Sequence, residues 1–251
     1  MANSFVVNHS AGAGAIRVGD VLGKSFSLFA SRWAPFLGLA LVAYAPTFIF
    51  GLVVSAAGTS SPSTVQLTGL ITIILRLVCS ALANAAVIYG VVQELRGRRF
   101  TFSESLGAGF GRMGAVVGLS LLVGILIGLA AILLVVPGII VWCLYAVAIP
   151  VCVVEQRGAR ASMTRSSFLT KGNRWQIFGI FLLILVASIA FGAIVGFVAG
   201  YAGGMTLVRI ATYLIEALVG AFNSVAVGVL YYQLRVVREG ADIEKIAAVF
   251  D

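Results

Sequence analysis

Two ionisable side chains interrupt long apolar stretches of this sequence and are its strongest candidates for chemistry. Arg76 lies eight residues before Asn84, and Glu216 lies seven residues before Asn223. Ionisable groups within a bilayer are costly and usually face a partner or water. When the two stretches are aligned, Arg76 and Glu216 fall at similar depth, so we expect them to pair. The predicted intramembrane polar seam consists of Arg76, Ser80, Asn84, Glu216 and Asn223.

This seam has two interpretations. In the first, it lines a cavity that receives a substrate. In the second, it is an internal salt bridge that holds the first and third helical hairpins together. Removing one partner would leave an unpaired charge in low dielectric. Both interpretations therefore predict that replacing either Arg76 or Glu216 alone destabilises the protein.

The sequence carries no recognisable catalytic or metal-binding motif. It has no HExxH, GxSxG or P-loop pattern, no paired carboxylates and no Cys and His constellation. Cys79, Cys143 and Cys152 lie inside apolar stretches and are interpreted as small buried hydrophobes. The single histidine, His9, lies in the N-terminal segment. We therefore expect no enzymatic activity, no cofactor and no bound metal.

Composition indicates that lipid is the solvent of this chain. Hydrophobic residues make up 61% of it, charged residues 10%, and the mean hydropathy is +1.09. Soluble domains average about 45–50% apolar and about 25% charged residues. A spanning helix needs about 20 mostly apolar residues. The sequence predicts an all-α integral membrane protein with six transmembrane helices, at 34–56, 66–94, 113–135, 138–155, 176–199 and 206–234.

Basic residues are confined to alternate connections between these spans. The connections near Ser61, Pro137 and Gly203 carry no charge. Cytoplasmic loops retain Lys and Arg, so we expect both termini inside and a multi-pass protein of the bacterial inner membrane. Scattering of the basic residues among apolar helix starts argues against nucleic acid and favours anionic lipid as partner. The predicted headgroup contacts are Arg96, Arg99, Arg157, Arg160, Lys171, Arg174, Arg235 and Arg238.

The spans read as three similar units, each an amphipathic interfacial helix followed by a transmembrane hairpin. We place the units at 16–99, 100–160 and 161–238, between a flexible tail at 1–15 and a cytoplasmic tail at 239–251. Any hairpin flanked by basic residues resembles this pattern, and that is the alternative to true duplication. Thr101 and Glu104 form a candidate capping box at the start of the second unit.

Small residues follow one face of the fifth span at intervals of four. Such a face lets another helix approach closely, either within the monomer or across a homodimer or partner seam. The predicted helix-packing residues are Ser188, Gly192, Gly196, Gly200 and Gly204. Pro46 and Pro150 interrupt the first and fourth spans and are expected to kink them.

One segment carries a family resemblance. The residues from Arg165 to Trp175 contain the pattern S-x-x-L-T-K-G-N-x-W, beginning at Ser166. This pattern resembles a segment of the membrane domain of bacterial glycerophosphodiester phosphodiesterases and of related stand-alone inner-membrane proteins of unknown role. In those enzymes a separate soluble barrel carries the chemistry. The resemblance therefore implies a membrane role without phosphodiesterase activity.

Two functional expectations follow. In the first, the chain binds or transports a small solute or lipid within its helical bundle. In the second, it is a scaffold, assembly factor or accessory subunit that docks a partner membrane protein.

Overall fold

The computed structural model describes residues 16–58 and 61–239, with the side chains of 202–205 left aside. Within these residues the secondary structure is helical, without strands. The helices are α1 (Val18–Ser31), α2 (Trp33–Ala56), α3 (Pro62–Leu95), α4 (Phe102–Leu133), α5 (Val135–Leu144), α6 (Ala148–Val154), α7 (Ala159–Thr170) and α8 (Arg174–Glu239).

Six segments are long and apolar enough to cross a membrane, which confirms the predicted number of spans. They are Trp33–Ala56, Pro62–Leu95, Phe102–Leu133, Val135–Val154, Arg174–Tyr201 and Thr206–Glu239. The fourth span combines α5 and α6, and the last two both belong to α8. The chain is a multi-pass membrane protein.

The two ends of α8 lie close together. A straight helix of its 66 residues would be about 99 Å long. However, α8 begins just after Gly172, and a Cβ built on Gly172 would lie 3.3 Å from Nη2 of Arg238 at the other end. The two spans of α8 therefore return to the same end of the molecule.

The predicted second interfacial helix is not a separate element, because α4 runs unbroken from Phe102 to Leu133. Its predicted capping box is confirmed: the Glu104 amide donates to Thr101 Oγ1 at 3.3 Å, and the Thr101 amide donates to Glu104 Oε2 at 3.0 Å. The cap starts the helix at Phe102, and no proline or turn follows to end it before the span. The interfacial segment and the third span are thus one helix.

The other two predicted interfacial helices face the protein more than expected. The buried residues of α1 are Val21 and Ser25, and α1 packs along α8 while Phe26 remains exposed. The buried face of α7 carries hydroxyls, at Ser162, Ser166 and Thr170. These helices bury side chains against neighbouring helices, so only their remaining faces are exposed.

Proline affects the first and fourth spans differently. α2 stays helical through Pro46. The fourth span is interrupted at 145–147, between α5 and α6. Pro150 has no N–H for the carbonyl of Ala146, four residues earlier, so the break lies one turn before the proline.

Burial is concentrated at one end of the bundle. The ends of the spans that carry the basic residues meet there: Arg32 pairs with Glu94 at 3.5 Å, and the Tyr231 hydroxyl donates to Glu155 at 3.0 Å. We call this the basic end. The opposite halves of the spans, which we call the open end, expose large apolar side chains such as Ile73 and Ile132. On α3, the buried residues run from Cys79 to Val92, toward the basic end.

Candidate functional site

The predicted polar seam forms where α3 contacts the second span of α8. These helices run in the same direction and stay in register, because Arg76 contacts Glu216 and Asn84 contacts Ser224, with 140 residues separating the partners in both pairs. Closer to the basic end, a Cβ built on Gly228 would lie 2.7 Å from Val91. The glycine allows the backbone of α8 to approach α3 closely.

Arg76 and Glu216 form the predicted ion pair, joining Nη2 to Oε1. Their side chains are 59% and 28% exposed, respectively. The first buried residue of α3, Cys79, lies three positions farther toward the basic end. Arg76 is 20 residues from Arg96, or about 30 Å along the helix. The pair therefore lies on the open-end side of the packed core.

Asn84 continues the seam through Ser224, a residue that the predicted seam did not include. The Ser224 hydroxyl donates to Asn84 Oδ1 at 2.6 Å, and Asn84 Nδ2 donates to the Ser80 carbonyl at 2.8 Å. Eight residues separate Arg76 from Asn84, and eight separate Glu216 from Ser224. Equal spacing preserves the helical phase on both partners, and this signal could have identified Ser224.

Tyr213, which the sequence reasoning missed, connects α2 to the same site. Its hydroxyl donates to the Leu41 carbonyl at 2.6 Å, and its ring stacks on Phe48 at 4.6 Å between centroids. Pro46 cannot donate to the carbonyl of Val42, next to Leu41 in the helix. Polar side chains of neighbouring helices commonly satisfy backbone groups near a transmembrane proline. The proline in α2 and the tyrosine one turn before Glu216 were the available signals.

Three glycines of the fifth span have no close neighbour among the residues that the structure describes. A Cβ built on Gly192, Gly196 or Gly200 meets no described atom within 4 Å. These three therefore do not pack against another described helix, contrary to the interpretation that they pack inside the monomer. Ser188 donates to the Ile184 carbonyl of its own helix at 2.6 Å. The surroundings of Gly204 lie outside the described side chains.

Close helix packing instead uses glycines of α4 and of the sixth span. A Cβ on Gly109 would lie 3.1 Å from Leu82, and one on Gly220 would lie 3.0 Å from the Tyr44 hydroxyl. Gly220, Ser224 and Gly228 are four residues apart. The sixth span therefore carries the same spacing of small residues as the fifth.

The basic residues predicted to contact lipid headgroups divide into two groups. Arg157 pairs with Glu155 at 2.8 Å, and Arg235 pairs with Glu239 at 2.9 Å. These two arginines pair with carboxylates of the chain, and their contact with headgroups stays a prediction. The others are exposed and form no salt bridge with the residues that the structure describes: Arg96, Arg99, Arg160, Lys171, Arg174 and Arg238.

A partly buried arginine on α7 joins the ends of two spans. Arg165 is 18% exposed, donates from Nε to Glu155 at 3.3 Å and pairs with Glu239. Burial alone would lower the pKa of Arg165, but hydrogen bonds and charges from Glu239 and Glu155 outweigh it and raise the pKa above its ordinary value. Arg165 therefore remains charged and links α6, α7 and the end of α8.

Residues of the family-like motif hold α7 against the interrupted fourth span. The hydroxyls of Ser166 and Thr170 donate to the Leu144 carbonyl at 2.8 and 3.3 Å. Asn173 Oδ1 accepts from the Ile16 amide at 3.1 Å. Ser166, Thr170 and Asn173 are all buried, and their polar side chains satisfy backbone groups of neighbouring segments.

The structure brings no metal ligands together in the chain that it describes. Within residues 16–58 and 61–239, no three His, Cys, Asp or Glu side chains lie close enough together to hold a metal ion. Cys79, Cys143 and Cys152 are buried free thiols. His9 and the predicted tails at 1–15 and beyond Glu239 lie outside the described residues.

Comparison with known proteins adds no relative. No protein-family model, no curated protein and no solved structure matches the chain.

Proposed function

We propose that this chain is a non-enzymatic membrane protein that binds an amphipathic lipid among the separated open-end halves of its helices. The Arg76–Glu216 pair would be the polar recognition point. The observation that carries this proposal is the position of the pair at the boundary between the packed core and the exposed apolar halves. A lipid headgroup can reach the half-exposed Arg76 guanidinium while its acyl chains contact apolar side chains.

Lipid binding is favoured over passage of a polar solute. The basic-end half of the bundle contains buried apolar side chains, including Val87, Ile88, Val225 and Leu230. A polar solute would have to displace this packing to continue beyond the seam. A lipid that enters sideways from the bilayer needs no such opening.

The proposed topology is three hairpins in a bacterial inner membrane, with both termini and the basic end in the cytosol. Three features support it: alternate connections lack charge, the basic span ends meet in the structure, and cytoplasmic loops retain arginine and lysine. The internal threefold repeat and the likeness to the phosphodiesterase membrane domain remain part of this proposal.

Lipid retention tests the proposed function. We expect wild-type protein, extracted in mild neutral detergent, to retain phospholipid in native mass spectra. The Arg76→Gln, Glu216→Gln double variant should retain about tenfold less, because a charge-assisted contact is worth about 1.5–3 kcal/mol. Arg209→Gln is the matched control, since it removes an arginine from the open-end half of α8 without touching the pair. Equal retention by all three proteins would refute the proposal.

The second candidate is a scaffold that docks a partner membrane helix. It is favoured by the fifth span, where Gly192, Gly196 and Gly200 have no close neighbour among the residues that the structure describes. Replacing Gly196 by Leu should then abolish copurification of a partner or of a second copy, because the side chain would hold the helices apart. Unchanged complexes after Gly196→Leu would eliminate this face as the docking surface.

A further inference from the structure

Among the described residues, intramolecular ion pairs leave several cations at the basic end without acidic partners. Glu94 is held by Arg32, and Glu155 and Glu239 are held by the arginine cluster around Arg165. In contrast, three exposed cations near the connection between α7 and α8 form no salt bridge with any described carboxylate. They are Lys171, Arg174 and Arg238, which we call the α7–α8 corner.

Gly172 brings these three charges together. Lys171 and Arg174 flank it in the sequence, and its φ of 88° turns the chain between the two helices. A Cβ built there would lie 3.3 Å from Arg238 Nη2, so the guanidinium lies directly over the turn. The fold thus gathers three like charges, and an anion bound between them would offset their mutual repulsion.

Exposed aromatic rings lie beside the corner. Trp175 is 83% exposed and contacts Phe178 edge-on at 6.2 Å between centroids. Phe168 is half-exposed, and the Arg238 guanidinium lies over its ring at 5.9 Å. Aromatic and basic side chains occur together where a protein meets the headgroups and upper acyl chains of a bilayer.

We propose that the α7–α8 corner binds the phosphate of an anionic phospholipid from the leaflet at the basic end. The two guanidiniums match phosphate oxygens by paired hydrogen bonds, and Lys171 adds a point charge. Trp175 and Phe168 contact the glycerol and upper acyl region. Free phosphate shares the headgroup chemistry, but it offers nothing to the exposed rings. The inference rests on the chain being a membrane protein and is independent of Arg76 and Glu216.

The test is a native mass-spectrometry titration of the full chain in neutral detergent with phosphatidylglycerol or phosphatidylcholine. Wild type should bind phosphatidylglycerol at least about tenfold more tightly than phosphatidylcholine, since each basic residue near an anionic headgroup contributes about 1 kcal/mol. The triple variant Lys171→Gln, Arg174→Gln, Arg238→Gln should lose that preference. The charge-preserving variant Lys171→Arg, Arg174→Lys, Arg238→Lys should keep most of it.

A matched control separates a specific site from general attraction. The triple variant Arg96→Gln, Arg98→Gln, Arg99→Gln removes the same charge from the exposed α3–α4 turn. It should lower the preference clearly less than the corner variant does, because exposed arginines of the turn add general attraction to an anionic headgroup but share no phosphate. Equal losses in both triple variants, or equal wild-type affinity for the two lipids, would overturn the proposal. So would full competition by inorganic phosphate at the concentration of the lipid.

Two further features keep the test decisive. If the glutamine variant failed to fold, the wild-type comparison of the two lipids would still decide whether an anionic preference exists. Repeating the titration in the Arg76→Gln, Glu216→Gln background removes lipid held at the open end, across the packed core, so the preference measured there reports on the corner alone. Failure of the lipid site at the open end would therefore be distinguishable from failure at the corner.

Discussion

The Ser166 hydroxyl donates a 2.8 Å hydrogen bond to the carbonyl of Leu144, 22 residues earlier in the chain. Leu144 is the last residue of α5, immediately before the break in the fourth span. The bond connects a helix outside the spans to a backbone group that the break leaves without its helical donor. Thr170, one turn later on α7, contacts the same carbonyl at 3.3 Å.

This arrangement predicts the effect of removing the two hydroxyls. Ser166→Ala with Thr170→Val should lower the free energy of unfolding by about 1–3 kcal/mol, because the partly buried Leu144 carbonyl loses both side-chain donors. Each single substitution should cost less, since the other hydroxyl remains. Ser167→Ala is the control, because its hydroxyl bonds only to Thr164 of its own helix. Unfolding by sodium dodecyl sulfate in mixed micelles measures the stability of the double variant, the two single variants and the control. Equal stability of the double variant and Ser167→Ala would contradict a stabilising role for the two hydroxyls.

The ion pair in the seam should appear as coupling between its partners. Arg76→Gln and Glu216→Gln should each lower the free energy of unfolding. The loss in the double variant should be about 1 kcal/mol smaller than the sum of the two single losses. The coupling is modest because the Arg76 side chain is more than half exposed. Thermal unfolding of the four proteins in one detergent provides the cycle. Strictly additive losses would show that the two side chains do not interact.

Two glycines of α8 should respond oppositely to alanine. Gly228→Ala should destabilise by about 1–3 kcal/mol, because its Cβ would lie 2.7 Å from Val91 and force α8 away from α3. Gly192→Ala should be neutral or stabilise by about 0.5–1 kcal/mol, because its Cβ meets nothing and alanine favours helix. The same unfolding assay compares them. If Gly192→Ala lowered the free energy of unfolding more than Gly228→Ala does, the fifth span would have to pack on a partner.

The charge asymmetry predicts which connections each side of the membrane can reach. In spheroplasts, a cysteine replacing Ser61 should react with a membrane-impermeant maleimide, because its uncharged connection is expected outside. A cysteine replacing Arg98 should react only after the membrane is permeabilised. The natural cysteines are buried in the structure and should contribute little background. Labelling of both positions from the same side would rule out the proposed topology.

Sequence alone determined the membrane class, the number of spans and the partners in the ion pair. Length and apolarity decide whether a segment crosses lipid, and neither depends on how helices pack. Arg76 and Glu216 were identifiable because a charge within a span stands out against its surroundings. The capping box at Thr101 was also readable, because it involves residues three apart in one helix turn.

Only the tertiary structure decided which helix faces meet. The fifth and sixth spans both carry small residues four apart. Gly220, Ser224 and Gly228 meet other helices, whereas Gly192, Gly196 and Gly200 meet no described atom within 4 Å. Periodicity marks a face that permits close approach without naming its partner. The division of the arginines into paired and unpaired groups likewise depends on contacts between residues far apart in the chain, such as Arg165 with Glu239. Long-range distances of this kind are set by packing, which local spacing does not encode.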